Sequence, residues 1–226
     1  MSLPVTEFVY FKLKPSVKPE DPTNEEGQQF IKTLQATKNQ LGYESSAWGR
    51  TLEDDSVIVW AIDWNTAHDG GSRSSLLIPL LVPNTHITHI VTTLSPSPST
   101  TDTFTKNPVT ELCCLNFDAA MSPDEHAAVD AALIDFRSAL VEKLPGLLKP
   151  KSWSTGQVER PGSREHRHSP SGKARMTFLA VGWESKEVHL EAKKEEVFIQ
   201  AITPVRERML PSIHETDMRH VVFQKV

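Results

Sequence analysis

Apolar and polar positions along this chain form two series of elements that run in the same order. Glu7 to Lys14 and Glu111 to Phe117 carry apolar side chains on both faces of an extended segment, so each is predicted as a strand covered on both sides. An amphipathic helix follows each. In the first series Thr23 precedes Glu26 at capping-box spacing, Phe30, Ile31, Leu34 and Leu41 form the stripe, and Gly42 ends it. In the second, Ser122 is the cap, Pro123 the first helical residue and Glu125 the reciprocal acid. Val129, Leu133, Phe136, Leu140 and Leu144 then recur at helical spacing, and Pro145-Gly146 stops them. Further strands are predicted over Ser56 to Trp64 and Ala174 to Trp183. A second helix follows from about Ser185 to Ile202, while Gly70, Gly71 and Pro79 break its counterpart in the first series. The closing strands are Ile87 to Leu94 and Arg219 to Lys225.

Individual residues recur with the pattern. Val5-Thr6-Glu7-Phe8-Val9-Tyr10-Phe11 returns as Val109-Thr110-Glu111-Leu112-Cys113-Cys114-Leu115. Trp48 returns as Trp153, both expected in a loop before a strand; Trp64 returns as Trp183 and His89 as His220. The intervals lengthen along the chain, as they do when loops grow in one copy. The expectation is an α+β fold of two repeats, residues 1–95 and 109–226, joined by a solvated linker, 96–108, rich in Ser, Thr and Pro. Arg160 to Lys173 has no apolar residue except Pro, so it is predicted to be mobile and dispensable, and His166 and His168 to be solvated.

Composition narrows the function. A formal charge of −5 and a pI near 6.0 lack the basic excess of a nucleic-acid binder. The longest apolar run, Leu76 to Val82, is interrupted by Pro79 and too short to span a bilayer, so no membrane partner is expected. The first residues lack a signal-peptide pattern, and the two cysteines, Cys113 and Cys114, are adjacent and face opposite sides of a strand. Both features suit a reducing, cytoplasmic setting. No metal-ligand spacing, nucleotide-binding glycine loop or Ser-His-Asp motif is present.

Gly182-Trp183-Glu184-Ser185 with His189 beyond it, the related Trp64 to His68 stretch, and closing strands that carry His89 and His220 resemble the dimeric α+β barrel superfamily. Within it the chain is most similar to antibiotic-biosynthesis-monooxygenase-like and stress-responsive barrel domains, and as a tandem copy to proteins of fungal secondary metabolism. The resemblance implies two ferredoxin-like units whose antiparallel sheets join into an intrachain, pseudo-dimeric barrel, with further homodimerisation possible. Its members include cofactor-free monooxygenases, cyclases, isomerases, haem-degrading proteins and chlorite dismutases, so fold alone does not choose among them.

The reading is a cofactor-independent enzyme that cyclises, rearranges or moves a proton on a small apolar, polyketide- or terpenoid-like intermediate. The alternatives are a cofactor-free monooxygenase, a non-catalytic binding or stress-response domain and, further off, a haem-linked role. Neither cofactor nor metal is expected. His89, His220, His68 and His189 are the candidate acid–base residues, because imidazole takes and gives protons near neutrality. Tyr10, Trp60, Trp64 and Trp183 are the candidate substrate-binding residues. His86 and His89 should face opposite sides of their strand. The irregular Asp69 to Pro83 stretch predicts the larger cavity in the first half, with His89 and His68 at its polar end.

Overall fold

The computed structural model describes residues 4–65, 75–101, 103–213 and 217–226, with backbone only at Ser99 and Thr101. Of the expected site residues, His68 lies outside this set, as does the stretch around Gly70 and Gly71.

Ten strands form one antiparallel sheet among the described residues. They are β1 (Val5–Lys12), β2 (Tyr43–Arg50), β3 (Val57–Trp64), β4 (Thr88–Thr92), β5 (Val109–Asp118), β6 (Ser152–Arg160), β7 (Arg164–Glu165), β8 (Lys173–Trp183), β9 (Arg219–Val221) and β10 (Gln224–Lys225). The order is β10-β2-β3-β1-β4-β6-β8-β5-β9, with β7 on the side of β8. The first half thus contributes 2-3-1-4 and the second 6-8-5-9, the same arrangement. Both ends of the sheet, β9 and β10, belong to the single segment that ends the chain. The sheet therefore curls until the C-terminal segment joins β5 on one side to β2 on the other.

Two glycines hold the seams between the halves. A side chain on Gly49 of β2 would collide with the Val222 carbonyl, and one on Gly156 of β6 with the Thr93 carbonyl. These are close backbone approaches that only glycine permits.

Alternation along the strands separates three cores. Phe8, Tyr10, Val59, Ile90, Leu112, Phe178 and Phe223 fill the inside of the curl, drawn from both halves. Outside, the first half packs Phe11, Trp48, Trp60 and Trp64 against α1 (Glu25–Ala36). The second half packs Leu115, Phe117, Trp153 and Trp183 against α2 (Pro123–Glu142), α3 (Lys186–Ala192) and α4 (Glu196–Arg206). No helix among the described residues is long and apolar enough to cross a membrane.

The capping box at Ser122 and Glu125 forms as expected. The α1 cap does not: Asn24, not Thr23, accepts from Gly27 N at 2.6 Å, while also bonding Ser16 O and Lys18 N. That bridge ties the incoming loop to the helix start, which Thr23 cannot reach. Asn24→Ala should therefore cost about 1–2 kcal/mol in urea unfolding and Thr23→Ala under about 0.5. Equal losses would restore Thr23 as the cap.

Other expectations need correction. Leu41 is 92% exposed, because α1 ends at Ala36 and a 3₁₀ turn, Thr37–Asn39, precedes Gly42 at φ 83°. The second helix of the second half is two helices, interrupted at Lys193 to Glu195 and running on through Pro204. Trp48 and Trp153 lie within strands, each edge-on to a helix Phe, Phe30 and Phe136. The linker forms short helical turns, and Phe104 enters the inner core against Phe8 and Phe223. The Arg160 to Lys173 stretch packs without apolar residues: β7 pairs with β8, and buried His166 Nε2 donates to the Pro211 carbonyl at 2.9 Å.

Candidate functional site

The second half holds a buried chain of titratable groups on the helix side of the sheet. Pairing of β5 with β9 sets Glu111 opposite His220. Trp183 ends β8, and its indole donates to Glu111 Oε2 at 2.9 Å. Ser185 then caps α3 by accepting from Val188 N at 3.2 Å, which fixes the first turn and lays His189 over Trp183. The two rings stack with centroids 4.6 Å apart and 14° between planes.

Contacts run from the core outward. His189 Nε2 lies 3.5 Å from Glu111 Oε2, a contact at the limit of hydrogen bonding. His189 Nδ1 is 2.8 Å from His220 Nε2. His220 Nδ1 is 2.7 Å from Glu53 Oε1, and its backbone N–H donates to Glu53 Oε2 at 2.9 Å. Lys186 Nζ lies 2.9 Å from Glu53 Oε1. Glu53 comes from the β2–β3 turn of the first half, held there by Leu52 N donating to His220 O at 2.8 Å. One half's histidines are thus completed by the other half's carboxylate.

Partners dictate the protonation pattern. Burial raises Glu53, but the His220 backbone, the Lys186 ammonium and the His220 ring outweigh it and hold its carboxyl down at about 2. It is a carboxylate and only accepts, so His220 Nδ1 carries the proton. Burial lowers the His220 pKa while Glu53 opposes, and the ring's remaining nitrogen, Nε2, accepts from His189 Nδ1. Burial, aided by the His220 and Lys193 charges, depresses His189 to about 3, so this ring is neutral and presents a lone pair at Nε2. Burial pushes Glu111 up to about 7 against the Trp183 hydrogen bond and the Lys193 charge. When protonated, Glu111 has an O–H to offer the His189 lone pair across the 3.5 Å contact. Every link faces the same way, from the buried carboxyl to a carboxylate at the surface.

The inner end is not sealed. The Glu111 side chain retains 11% exposure, and Cys113, next on its face of β5, is partly exposed. Lys193 and Asp217 lie within electrostatic range there.

The first half carries a shorter version. Trp64 Nε1 donates to Glu7 Oε2 at 3.1 Å, and His89 Nδ1 lies 3.0 Å from Glu7 Oε1. The tryptophans match in register, since Val5 pairs with Trp64 and Val109 with Trp183. The histidines do not: Glu7 pairs with Val91 and Glu111 with His220, so His220 matches Val91 and stands two residues past the equivalent of His89. That even shift keeps the ring on the same face and opens room for His189 between carboxylate and imidazole.

The structure brings His189, His220 and Trp183 together and gathers His89 and Trp64 on the two oxygens of Glu7. Trp60 lies in the outer core of the first half, its indole N–H unpartnered. Tyr10 faces the inside of the curl and lines a cavity of about 200 Å³ with His86. The first-half cavity expected at His89 and His68 would be walled by the Asp69 to Pro83 stretch, of which residues 69–74 lie outside the described residues, as does His68. Cavities of about 640 and 420 Å³ lie in the second half, the first lined by His166, His168 and Pro211 and the second by His168 and Glu207, among others. Sequence reasoning missed Glu7, Glu111, Glu53 and Lys186. Its signal for the first two was the repeated Val-Thr-Glu, a charge inside an apolar strand.

No protein-family model matches the chain, and no curated protein matches it. Solved structures do share its fold. A proposed chlorite dismutase, TA0507, superposes with a TM-score of 0.59 at 9% identity, covering 100% of this chain and 96% of its own. A chlorite dismutase variant from Candidatus Nitrospira defluvii gives 0.56 at 12% identity, covering 98% and 92%. A proposed monooxygenase from Fusobacterium nucleatum gives 0.54 at 9% identity, covering 99% and 93%. At these identities the likeness establishes the α+β fold with its curled antiparallel sheet.

Proposed function

We propose that this chain is an intrachain barrel of two ferredoxin-like repeats, residues 1–95 and 109–226, and a cofactor-independent enzyme that moves a proton on a small apolar substrate at Glu111. The matching strand orders, the Trp64 and Trp183 registers and the seam glycines support the repeats. One observation carries the chemistry: a buried carboxyl near pKa 7 connected through His189 and His220 to Glu53 at the surface. A base poised near neutrality is suited to proton abstraction, and a relay lets it exchange that proton with solvent.

The substrate would enter beside Cys113, with an acidic C–H facing Glu111. As a carboxylate, Glu111 removes the proton and leaves an enolate; as an acid, it returns the proton at another carbon, which gives isomerisation or accompanies cyclisation. His189 and His220 position Glu111 and carry its proton without touching the substrate. The likeness to a structure described as a monooxygenase supports the related reading in which the enolate meets dioxygen instead. A haem-linked role would not use His220. An axial imidazole needs a nitrogen free for iron, and His220 spends both on Glu53 and His189.

The test is exchange of an acidic C–H for deuterium, followed by NMR, across a panel of enolisable polycyclic phenols. The parent should accelerate exchange, and Glu111→Gln should slow it about a hundredfold or more at equal folded fraction. Stoichiometric oxygen uptake would select the monooxygenase branch. The burial of His189 and His220 favours one rival, a non-catalytic binding domain. Saturable binding without any acceleration of exchange would establish it and end the enzyme reading.

A further inference from the structure

The outer side of α2 takes no part in the relay or in the core. Buried Val129, Leu133, Phe136 and Leu140 hold the inner side of this helix to the second half. A second series, Ala127, Ala131, Ile134, Ser138 and Val141, recurs at alternating spacings of four and three on the opposite side. At about 100° per residue the five fall within roughly 80° of arc. Ile134 is 63% exposed and Val141 43%. A surface helix normally turns charged and polar residues to solvent here. Alternating spacings of three and four are instead the pattern of a helix that packs against another helix.

The charges beside this stripe select the second helix. Exposed Asp130 and Arg137 flank one edge, two turns apart along the axis. No Lys or Arg stands three or four residues from Asp130, and no Asp or Glu stands so from Arg137. Among the described residues neither side chain makes an ion pair or a hydrogen bond. In a two-fold contact, residue i meets j and j meets i. Two antiparallel copies of α2 therefore set Asp130 against the second copy's Arg137 twice over. The midpoint of 130 and 137 falls beside Ile134, which puts the most exposed large apolar residue of the helix at the crossing. The other edge is acidic, with Asp124, Asp135 and Glu142. A crossing of about 50°, the commonest for packed helices, keeps these apart. Asp124 and Glu142 lie roughly 13–14 Å from the crossing at about 1.5 Å per residue, where the axes have diverged by about 11 Å. That exceeds the Debye length of about 8 Å at physiological salt. Asp135 points about 100° round the helix from Ile134, away from the contact.

We propose that a second copy of this chain covers the outer face of α2, in an antiparallel two-fold contact with Ile134 at its centre and two Asp130–Arg137 pairs beside it. The contact goes beyond the enzyme reading and does not depend on Glu111. It is small. A helix about 30 Å long and 10 Å across covers on the order of 300 Å² on each copy, against roughly 800 Å² in a standard interface, so the dimer is weak, with a dissociation constant on the order of 100 µM.

Sedimentation equilibrium of the full chain from about 10 to 500 µM tests it. The apparent mass should climb from that of one 25.3 kDa chain towards twice that value. Ile134→Glu should weaken the association about tenfold or more. Arg137→Asp sets Asp130 against a second carboxylate, and Asp130→Arg sets Arg137 against a second guanidinium, so each variant alone should also lose about tenfold. Mixed together, these two variants again bring opposite charges to both contacts, and association should return. All three positions are exposed, so folding should be preserved, with circular dichroism as the check. Should Ile134→Glu fail to fold, the charge variants and their mixture carry the test. A parent that stays monomeric at the highest concentration would overturn the proposal and leave the face to a different partner or to none. Association unchanged in a folded Ile134→Glu, or a mixture that associates no better than its components, would overturn it as well.

Discussion

Replacing Glu111 by Gln should make stability rise with pH between about 4.5 and 6.5, where these buried groups nearly cancel in the parent. The Glu111 pKa is raised from 4.5 to about 7, so the folded chain holds a proton that the unfolded chain has released. Its stabilising share is complete below about 4.5 and lost as pH climbs through 7. His189 works the other way. Its pKa falls from 6.5 to about 3, so the unfolded chain binds the proton and stability is lost as pH drops from 6.5 towards 3. Between 4.5 and 6.5 one proton is gained and one released, and the slopes oppose. Gln keeps an acceptor for Trp183 and offers an N–H to His189, but it cannot titrate. The variant-minus-parent stability should therefore grow by about 3 kcal/mol from pH 4.5 to above 7, since each tenfold change in the affinity for a proton is worth about 1.4 kcal/mol. Denaturant midpoints across that range measure it, and the difference cancels every titration the two proteins share. Parallel curves would mean that Glu111 is already ionised in the folded protein, and the relay would lose its inner proton.

How far the sequence anticipates this site depends on which signals are local. The Ser122 box is read correctly because cap, proline and reciprocal acid all lie within a few residues. Asn24 is chosen over Thr23 by contacts with Ser16 and Lys18, made by a loop that folds back onto the helix start and leaves Gly27 no room for a side chain. The break at Lys193 to Glu195 occurs among good helix formers, without Gly or Pro, so nothing in the local sequence marks it. Strand alternation has a period of two, which makes even register shifts silent. His89 and His220 therefore look equivalent in the pattern while standing two places apart in the ladder. The Arg160 to Lys173 insertion fails for a different reason. Counting apolar residues cannot foresee a segment held by the hydrogen bonds of His166 and Ser169.

Phe8→Ala and Phe178→Ala should each cost about 3–5 kcal/mol, the usual loss for a large aromatic removed from a packed core. Phe8 belongs to β1 and Phe178 to β8, and both are fully buried inside the curl. Their rings stack with centroids 4.3 Å apart, and Phe104 meets Phe8 edge-on at 5.7 Å. Losing either ring leaves the other facing a void, so the second substitution removes less than the first. The double variant should fall short of the sum by about 1 kcal/mol or more. If the halves form one barrel, each single variant should also lower the temperature of one cooperative transition, with calorimetric and van't Hoff enthalpies equal. Calorimetry of the three variants decides it. Two transitions, of which Phe8→Ala lowers only one, would mean that the halves are separate domains that merely touch. The completion of His220 by Glu53 would then be a surface contact rather than part of a shared core.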